Sequence, residues 1–166
     1  MKKIRNNKGF TLVELLAVIV VLAIVMGLAV VGITSVLDNT RKSAFLADAK
    51  SFIAGAHSLV QGDEANKLLG AATDYAPDCY ATNAADKTKI IDIDKIPLDG
   101  GQKVTEHKSP YGNLYSNTSK IQVSVDADCK LTYKIFLTDG VYKIGTAATD
   151  TGMIEESDLD VSDVKK

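Results

Sequence analysis

Between Leu15 and Ile33 the chain carries no charged residue, and this run restricts the possible folds more than anything that follows it. At about 1.5 Å of rise per residue, a helix of that length spans close to the ~30 Å of a bilayer's hydrocarbon core. Lys2, Lys3, Arg5 and Lys8 precede it, and such charges hold their own side of a span in the cytoplasm. The expectation is a single-pass helix with a cytoplasmic N-terminus and the rest of the chain outside. A secretory signal peptide has a shorter apolar stretch and then a small-x-small cut site. Here Ile33-Thr34-Ser35-Val36 leads directly into more helix. A plain signal anchor fits better, but it leaves Glu14, near the cytoplasmic end of the span, without a role. Ionisable side chains are costly in a bilayer and usually mark a partner or a function.

What remains beyond the span is enough for one small domain. Formal net charge is −2, and no Lys/Arg cluster occurs outside the leader, so the electrostatic footprint of a nucleic-acid binder is missing. No direct nucleic-acid partner is expected. The chain holds no P-loop, zincin helix, Cys-x-x-Cys pair or dinucleotide-binding glycine fingerprint. His57 falls on a helix and His107 in a turn-rich segment, each read as an ordinary solvated histidine. The expectation is therefore no catalytic residue, no metal and no cofactor.

After Ser35 the pattern turns amphipathic without a stop, and no proline occurs before Pro77. Phe45, Ala49, Phe52, Ile53, Ala56, Leu59 and Val60 recur at helical spacing, with Arg41, Lys42, Asp48 and Lys50 assigned to the other side. Gln61-Gly62-Asp63 reads as a helix stop. The predicted helix thus runs from about Thr11 to Val60, hydrophobic over 10–37 and amphipathic over 38–61. Gly27 and Gly32 are its weak points, each about 1 kcal/mol less favourable than alanine. They suit a bend or close helix packing equally.

Residues 62–119 read as an irregular connection. It includes a short helix around Leu68 and Leu69 and a strand over Lys89–Ile96, closed by Pro97 and Asp99-Gly100-Gly101. An antiparallel meander follows over 120–146. Ile121, Val123 and Val125 alternate with polar residues, as do Leu131, Tyr133, Ile135 and Leu137, and Asp139-Gly140 offers a hairpin turn into Val141–Ile144. Residues 147–166 are acidic and read as a solvated tail or edge, in which Ile154, Leu159 and Val161 offer one more strand. The fold class is α+β: a long N-terminal helix, transmembrane in its first half and amphipathic in its second, packed on a small antiparallel sheet.

Cys79 and Cys129 both follow the span and are expected outside, where a disulfide between them is permitted. Two buried free thiols remain the alternative, since bridging distance cannot be read from sequence. Cys129 is expected to start the middle strand of the meander and to tie it to the loop carrying Cys79.

Lys8-Gly9-Phe10-Thr11-Leu12-Val13-Glu14-Leu15 resembles the processing and methylation motif of type IV prepilins and the related pseudopilins, a class III-type signal followed by an apolar helix. The resemblance implies a leader over 1–9, cleavage between Gly9 and Phe10 on the cytoplasmic side, N-methylation of Phe10, and an assembly role for Glu14. It implies as partners other copies of the chain, the prepilin peptidase/methyltransferase, the pilus assembly platform with its ATPase machinery, and the membrane. The protein is then single-pass in the cytoplasmic membrane before assembly and in a cell-surface pilus afterwards, serving adhesion, twitching motility, biofilm formation or DNA uptake. Cleavage leaves a cationic amine at Phe10, at the depth of a neighbour's Glu14. In a low-dielectric setting these charges attract far more strongly than in water. On this reading each subunit presents an unpaired acid that only an incoming neighbour satisfies.

Members of this family often carry a proline in the apolar half of the helix, and this chain has none. Ser109-Pro110-Tyr111-Gly112-Asn113-Leu114-Tyr115 is similar to a segment of the major pseudopilins of type II secretion. Read on its own residues it is a Pro/Gly turn with two aromatics packed on the sheet. A calcium site follows this segment in those pseudopilins, but Asp126 and Asp128 fall short of the six to eight oxygens calcium takes. Two alternatives to a pilus subunit stay open: a pseudopilin of a type II secretion or competence system, and a signal-anchored surface protein that never polymerises.

Overall fold

The computed structural model describes residues 10–70, 74–97 and 104–166. By its packing the chain divides into two units, residues 1–39 and 40–166. The helix α1 (Leu12–Leu68, 57 residues) contributes to both. The leader with Gly9 and the Asp99-Gly100-Gly101 turn lie outside the described residues.

In the first unit α1 carries no charge from Leu15 to Ile33, and none of its most apolar window is buried within the chain. It is long and apolar enough to cross a membrane. A helix hydrophobic on every side needs lipid or other protein as its solvent.

In the second unit α1 lies against a five-stranded antiparallel sheet. The strands are β1 (Thr88–Asp92), β2 (Lys120–Val125), β3 (Leu131–Thr138), β4 (Lys143–Ile144) and β5 (Ile154–Glu155). Their order is β1-β2-β3-β4, with β5 also on β3. The register places Ile121 opposite Ile135 and Val123 opposite Tyr133, with Ile91 of β1 beside Ile121. Because side chains alternate across a strand, this register puts one apolar face toward the helix. Phe45, Ala49, Phe52, Ile53, Ala56 and Val60 of α1 are buried there together with Ile121, Val123, Tyr133, Ile135 and Leu137.

Several elements depart from the sequence expectations. The helix does not stop at Gln61-Gly62-Asp63 and no separate short helix follows; α1 continues to Leu68. A stop needs left-handed backbone, and this appears at Gly70 (φ 76°) rather than at Gly62. Asp63 instead anchors the returning chain, its carboxylate accepting the backbone N–H groups of Asp74, Tyr75 and Ala76. Leu68 and Leu69 are exposed at the helix end rather than packed.

Asp48 does not sit on the solvent side of the stripe. It falls three residues after Phe45 and four before Phe52, which is the same helix face. It accepts a hydrogen bond from the Tyr115 hydroxyl at 2.6 Å. The strand expected over Lys89–Ile96 ends at Asp92, and Ile93–Lys95 form a 3-10 turn. Ile93 and Ile96 therefore reach the core from a turn, yet both are buried. Val141 and Tyr142 belong to the Asp139-Gly140 turn rather than to β4. Asp139 N–H donates to the Tyr142 carbonyl at 3.1 Å, and Gly140 supplies φ 86°.

The C-terminal segment is folded back rather than solvated as a tail. Met153, Leu159 and Val164 are buried, and Lys143 and Lys165 exchange backbone hydrogen bonds at 2.8 and 2.9 Å. β4 covers only Leu137 and Thr138 of the far edge of β3, which leaves Lys134 and Ile135 to pair with β5. An edge left open along a buried face is a template for such a strand. The loop between β4 and β5 is tight: Gly145 has φ 82°, and a Cβ there would lie 2.6 Å from the Gly152 carbonyl oxygen.

Candidate assembly site

At the start of α1, Thr11 and Glu14 form a reciprocal capping box. The Thr11 N–H and hydroxyl both donate to Glu14 Oε2 at 2.9 Å, and the Glu14 N–H donates to Thr11 Oγ1 at 3.3 Å. This geometry satisfies two of the backbone donors that a helix start leaves without intrahelical partners. Phe10, just before the box, is 86% exposed. Glu14 is thus partnered inside its own chain by Thr11, and is not the unpaired acid expected to wait for a neighbour. The Thr-x-x-Glu spacing of Thr11 and Glu14 is the local sequence signal of this pairing.

Above the box, α1 carries the exposed apolar side chains of Leu15, Leu16, Val18, Ile19, Val21 and Leu22 among others. The site therefore combines one acid, held at the start of a helix, with an apolar surface that nothing within its own unit covers.

In the second unit Cys79 and Cys129 are joined as a disulfide, with Cα atoms 5.3 Å apart. Cys129 does not start β3. It lies two residues earlier, in the turn between β2 and β3, with left-handed backbone (φ 61°). The Asp126 carboxylate in that turn accepts the N–H groups of Asp128 and Lys130, each at 2.9 Å. Its Oδ1 serves as a turn cap. Among the described residues no cluster of three or more His, Cys, Asp or Glu side chains has metal-binding geometry.

Both histidines are built into contacts the sequence did not suggest. His57 stacks on Tyr133 with ring centroids 3.7 Å apart, and its Nε2 lies 3.1 Å from Glu156, next to the C-terminal segment. Burial, with the nearby Glu64 and Glu156 charges, pushes the Tyr133 hydroxyl up to about 12. His107 lies edge-on to Phe52, parallel to Tyr115, and 3.7 Å from Asp48. Burial and the Asp48 carboxylate push the Tyr115 hydroxyl up as well, so it stays protonated and donates.

The Ser109–Tyr115 segment is a turn with two packed aromatics. Tyr111 stacks on Tyr142 at 3.5 Å, and Tyr115 packs against Phe45 and Phe52. The segment is pinned by Asp139, which accepts Ser109 Oγ at 2.6 Å and Asn113 Nδ2 at 3.4 Å. These are contacts of a scaffold, and they leave the N-terminal stretch as the candidate functional site.

Residues 4–30 match the prokaryotic N-terminal methylation motif, the class III signal of type IV pilins and pseudopilins. The motif belongs to a structural, pilin-type family rather than to an enzyme family. In general it implies processing by prepilin peptidase and assembly at a membrane. No curated protein and no solved structure matches the chain.

Proposed function

We propose that this chain, which carries the class III signal of type IV pilins and pseudopilins at residues 4–30, is the precursor of a type IV pilus subunit. The leader 1–9 orients the chain, the prepilin peptidase cuts between Gly9 and Phe10, and the new Phe10 terminus is N-methylated. Subunits then leave the membrane and polymerise through the apolar part of α1, with residues 40–166 on the outside of the filament. The assembly platform and its ATPase supply the work of extraction.

The observation that carries this reading is the juxtaposition at the start of α1. An acid stands at the end of a long apolar helix surface that has no cover within its own unit. Burying that surface against other copies of the same helix removes it from lipid at little cost, because helix packing replaces lipid contact. The Phe10 amine of a neighbour then meets Glu14 at the same depth, where a charge without its counterpart is the costly state. Glu14 is held ready by Thr11, so the neighbour's amine adds to an existing arrangement rather than creating one.

Mass spectrometry of protein sheared from cells tests this. A chain beginning at N-methylated Phe10 in a filament fraction is the expected result. A full-length chain confined to membranes would overturn the proposal in favour of an anchored, non-polymerising protein. The same processing serves a pseudopilin, and electron microscopy of the sheared fraction separates long surface filaments from that case.

A further inference from the structure

The two sulfurs of the Cys79–Cys129 bridge differ in their surroundings, and the difference does not depend on whether the chain polymerises. Cys129 is exposed on the β2–β3 turn, whereas Cys79 is half-buried. Both line a solvent-open hollow of about 400 Å³ whose walls include Leu68, Ala76, Pro77 and Leu131. Cys129 is also the one non-glycine residue with left-handed backbone among the described residues (φ 61°). That conformation is unfavourable for an L-residue, and here the turn holds it in place. Cys129 is flanked in sequence by Asp128 and Lys130, and Cys79 by Asp78, whose carboxylate Lys67 pairs at 3.2 Å, so local charge is mixed at both ends and exposure and backbone conformation are what distinguish them.

The segment bearing Cys79 is held independently of the bridge. The Asp63 carboxylate binds the N–H groups of residues 74–76, Lys67 pairs with Asp78 at 3.2 Å, and Asp78 N–H donates to the Asp86 carbonyl at 2.8 Å. Breaking the S–S bond thus leaves Cys79 in place, and the Asp126 carbonyl oxygen, 4.0 Å from its sulfur, is ready to accept the S–H so formed.

We propose that this bridge is a site of directed thiol–disulfide exchange, in which an external thiol enters at Cys129 Sγ and Cys79 leaves. A thiolate RS⁻ attacks Cys129 Sγ, forming RS–Sγ(Cys129) as the Sγ–Sγ bond breaks, and the electron pair goes to Cys79, which takes a proton from water. A second thiolate attacks the R sulfur, releasing RSSR and the Cys129 thiolate. Two electrons pass from two thiols to the protein. Oxidation by a partner disulfide runs the same steps backwards, with Cys129 forming the mixed disulfide and Cys79 closing the ring. The partner class is a thiol or dithiol compound of the extracytoplasmic side, small enough or flat enough to reach an exposed turn.

The test uses the full chain in detergent with reduced glutathione as the probe, quenched by acid, alkylated and mapped by peptide mass. The expected adduct is glutathione on Cys129 with Cys79 alkylated, exceeding the opposite pattern roughly tenfold. Equal adducts, adducts mainly on Cys79, or a bridge left intact overturn the proposal. Single-cysteine variants give an independent measure: with an aromatic disulfide reagent, the Cys79→Ser chain, which keeps Cys129, reacts roughly tenfold faster than the Cys129→Ser chain. Equal rates under native conditions, or a difference that persists in denaturant, count against it.

Discussion

Replacing Asp139 by alanine tests the account of how the head's turns are held. The side chain is 7% exposed and accepts four hydrogen bonds. Oδ1 takes the N–H groups of Val141 at 3.0 Å and Tyr142 at 2.7 Å, closing the turn into β4. Oδ2 takes Ser109 Oγ at 2.6 Å and Asn113 Nδ2 at 3.4 Å, fastening the turn before Tyr115. Alanine leaves Ser109, itself buried, and the Tyr142 N–H without this acceptor, while the exposed Val141 turns to water. Two stranded donors at about 1–2 kcal/mol each give a loss of about 2–4 kcal/mol. For a unit of this size that lowers the melting temperature by roughly 8–15 °C.

Asparagine keeps the Oδ1 acceptor but turns an amide donor toward Asn113, so it should fall between the two. Acidification supplies a control. Burial alone raises the Asp139 pKa, but the bonds from Ser109, Tyr142, Val141 and Asn113 outweigh it and hold the carboxyl below its ordinary value. Its contribution is therefore complete above the unfolded value of about 3.9 and is lost as pH falls through the lower folded value. The gap between wild type and Asp139→Ala should be constant from neutral pH to about 5 and narrow below about 4. The assay is thermal unfolding of the full chain in detergent, followed by near-ultraviolet circular dichroism across that pH range. An alanine variant that melts with wild type at neutral pH, or a gap that widens in acid, refutes the reasoning.

Glu14→Gln keeps an oxygen for the Thr11 N–H and hydroxyl but removes the charge. Insertion and cleavage after Gly9 should be unchanged and filaments absent; wild-type piliation by microscopy would show that the cap, not the charge, is what Glu14 supplies. Gly145→Ala forces a left-handed alanine against the Gly152 carbonyl and should destabilise by at least about 2 kcal/mol in the same melt. Tyr115→Phe removes the 2.6 Å bond to Asp48 while keeping its ring contacts, and a loss of about 1–2 kcal/mol is expected because water can reach part of Asp48.

The apolar run, the stripe from Phe45 to Val60 and the alternation in β2 and β3 were all legible in the amino-acid sequence. Each is a local periodicity, and solvent imposes it residue by residue: a helix buries one face every 3.6 residues and a strand every two. The motif around Gly9 and Glu14 was legible for the same reason, being contiguous. The Thr11–Glu14 box was equally local and was there to be read.

What only tertiary structure decided depends on partners distant in sequence. Asp48 looked like a surface charge until Tyr115 arrived 67 positions later to bond it, and Asp139 looked like a plain turn residue until Ser109 and Asn113 converged on it. Ile154, Leu159 and Val161 offered one more strand in the acidic C-terminus, but only the open stretch of β3 decided that Ile154 and Glu155 form it and that Leu159 is buried from outside it. Gly62 carries a stop signal that the helix overrides, because the cost of one glycine is about 1 kcal/mol and continuing the hydrogen-bonded helix outweighs it. Local chemistry proposes where a chain buries its surface, but a polar group's place is settled by whichever partner the fold brings within bonding distance.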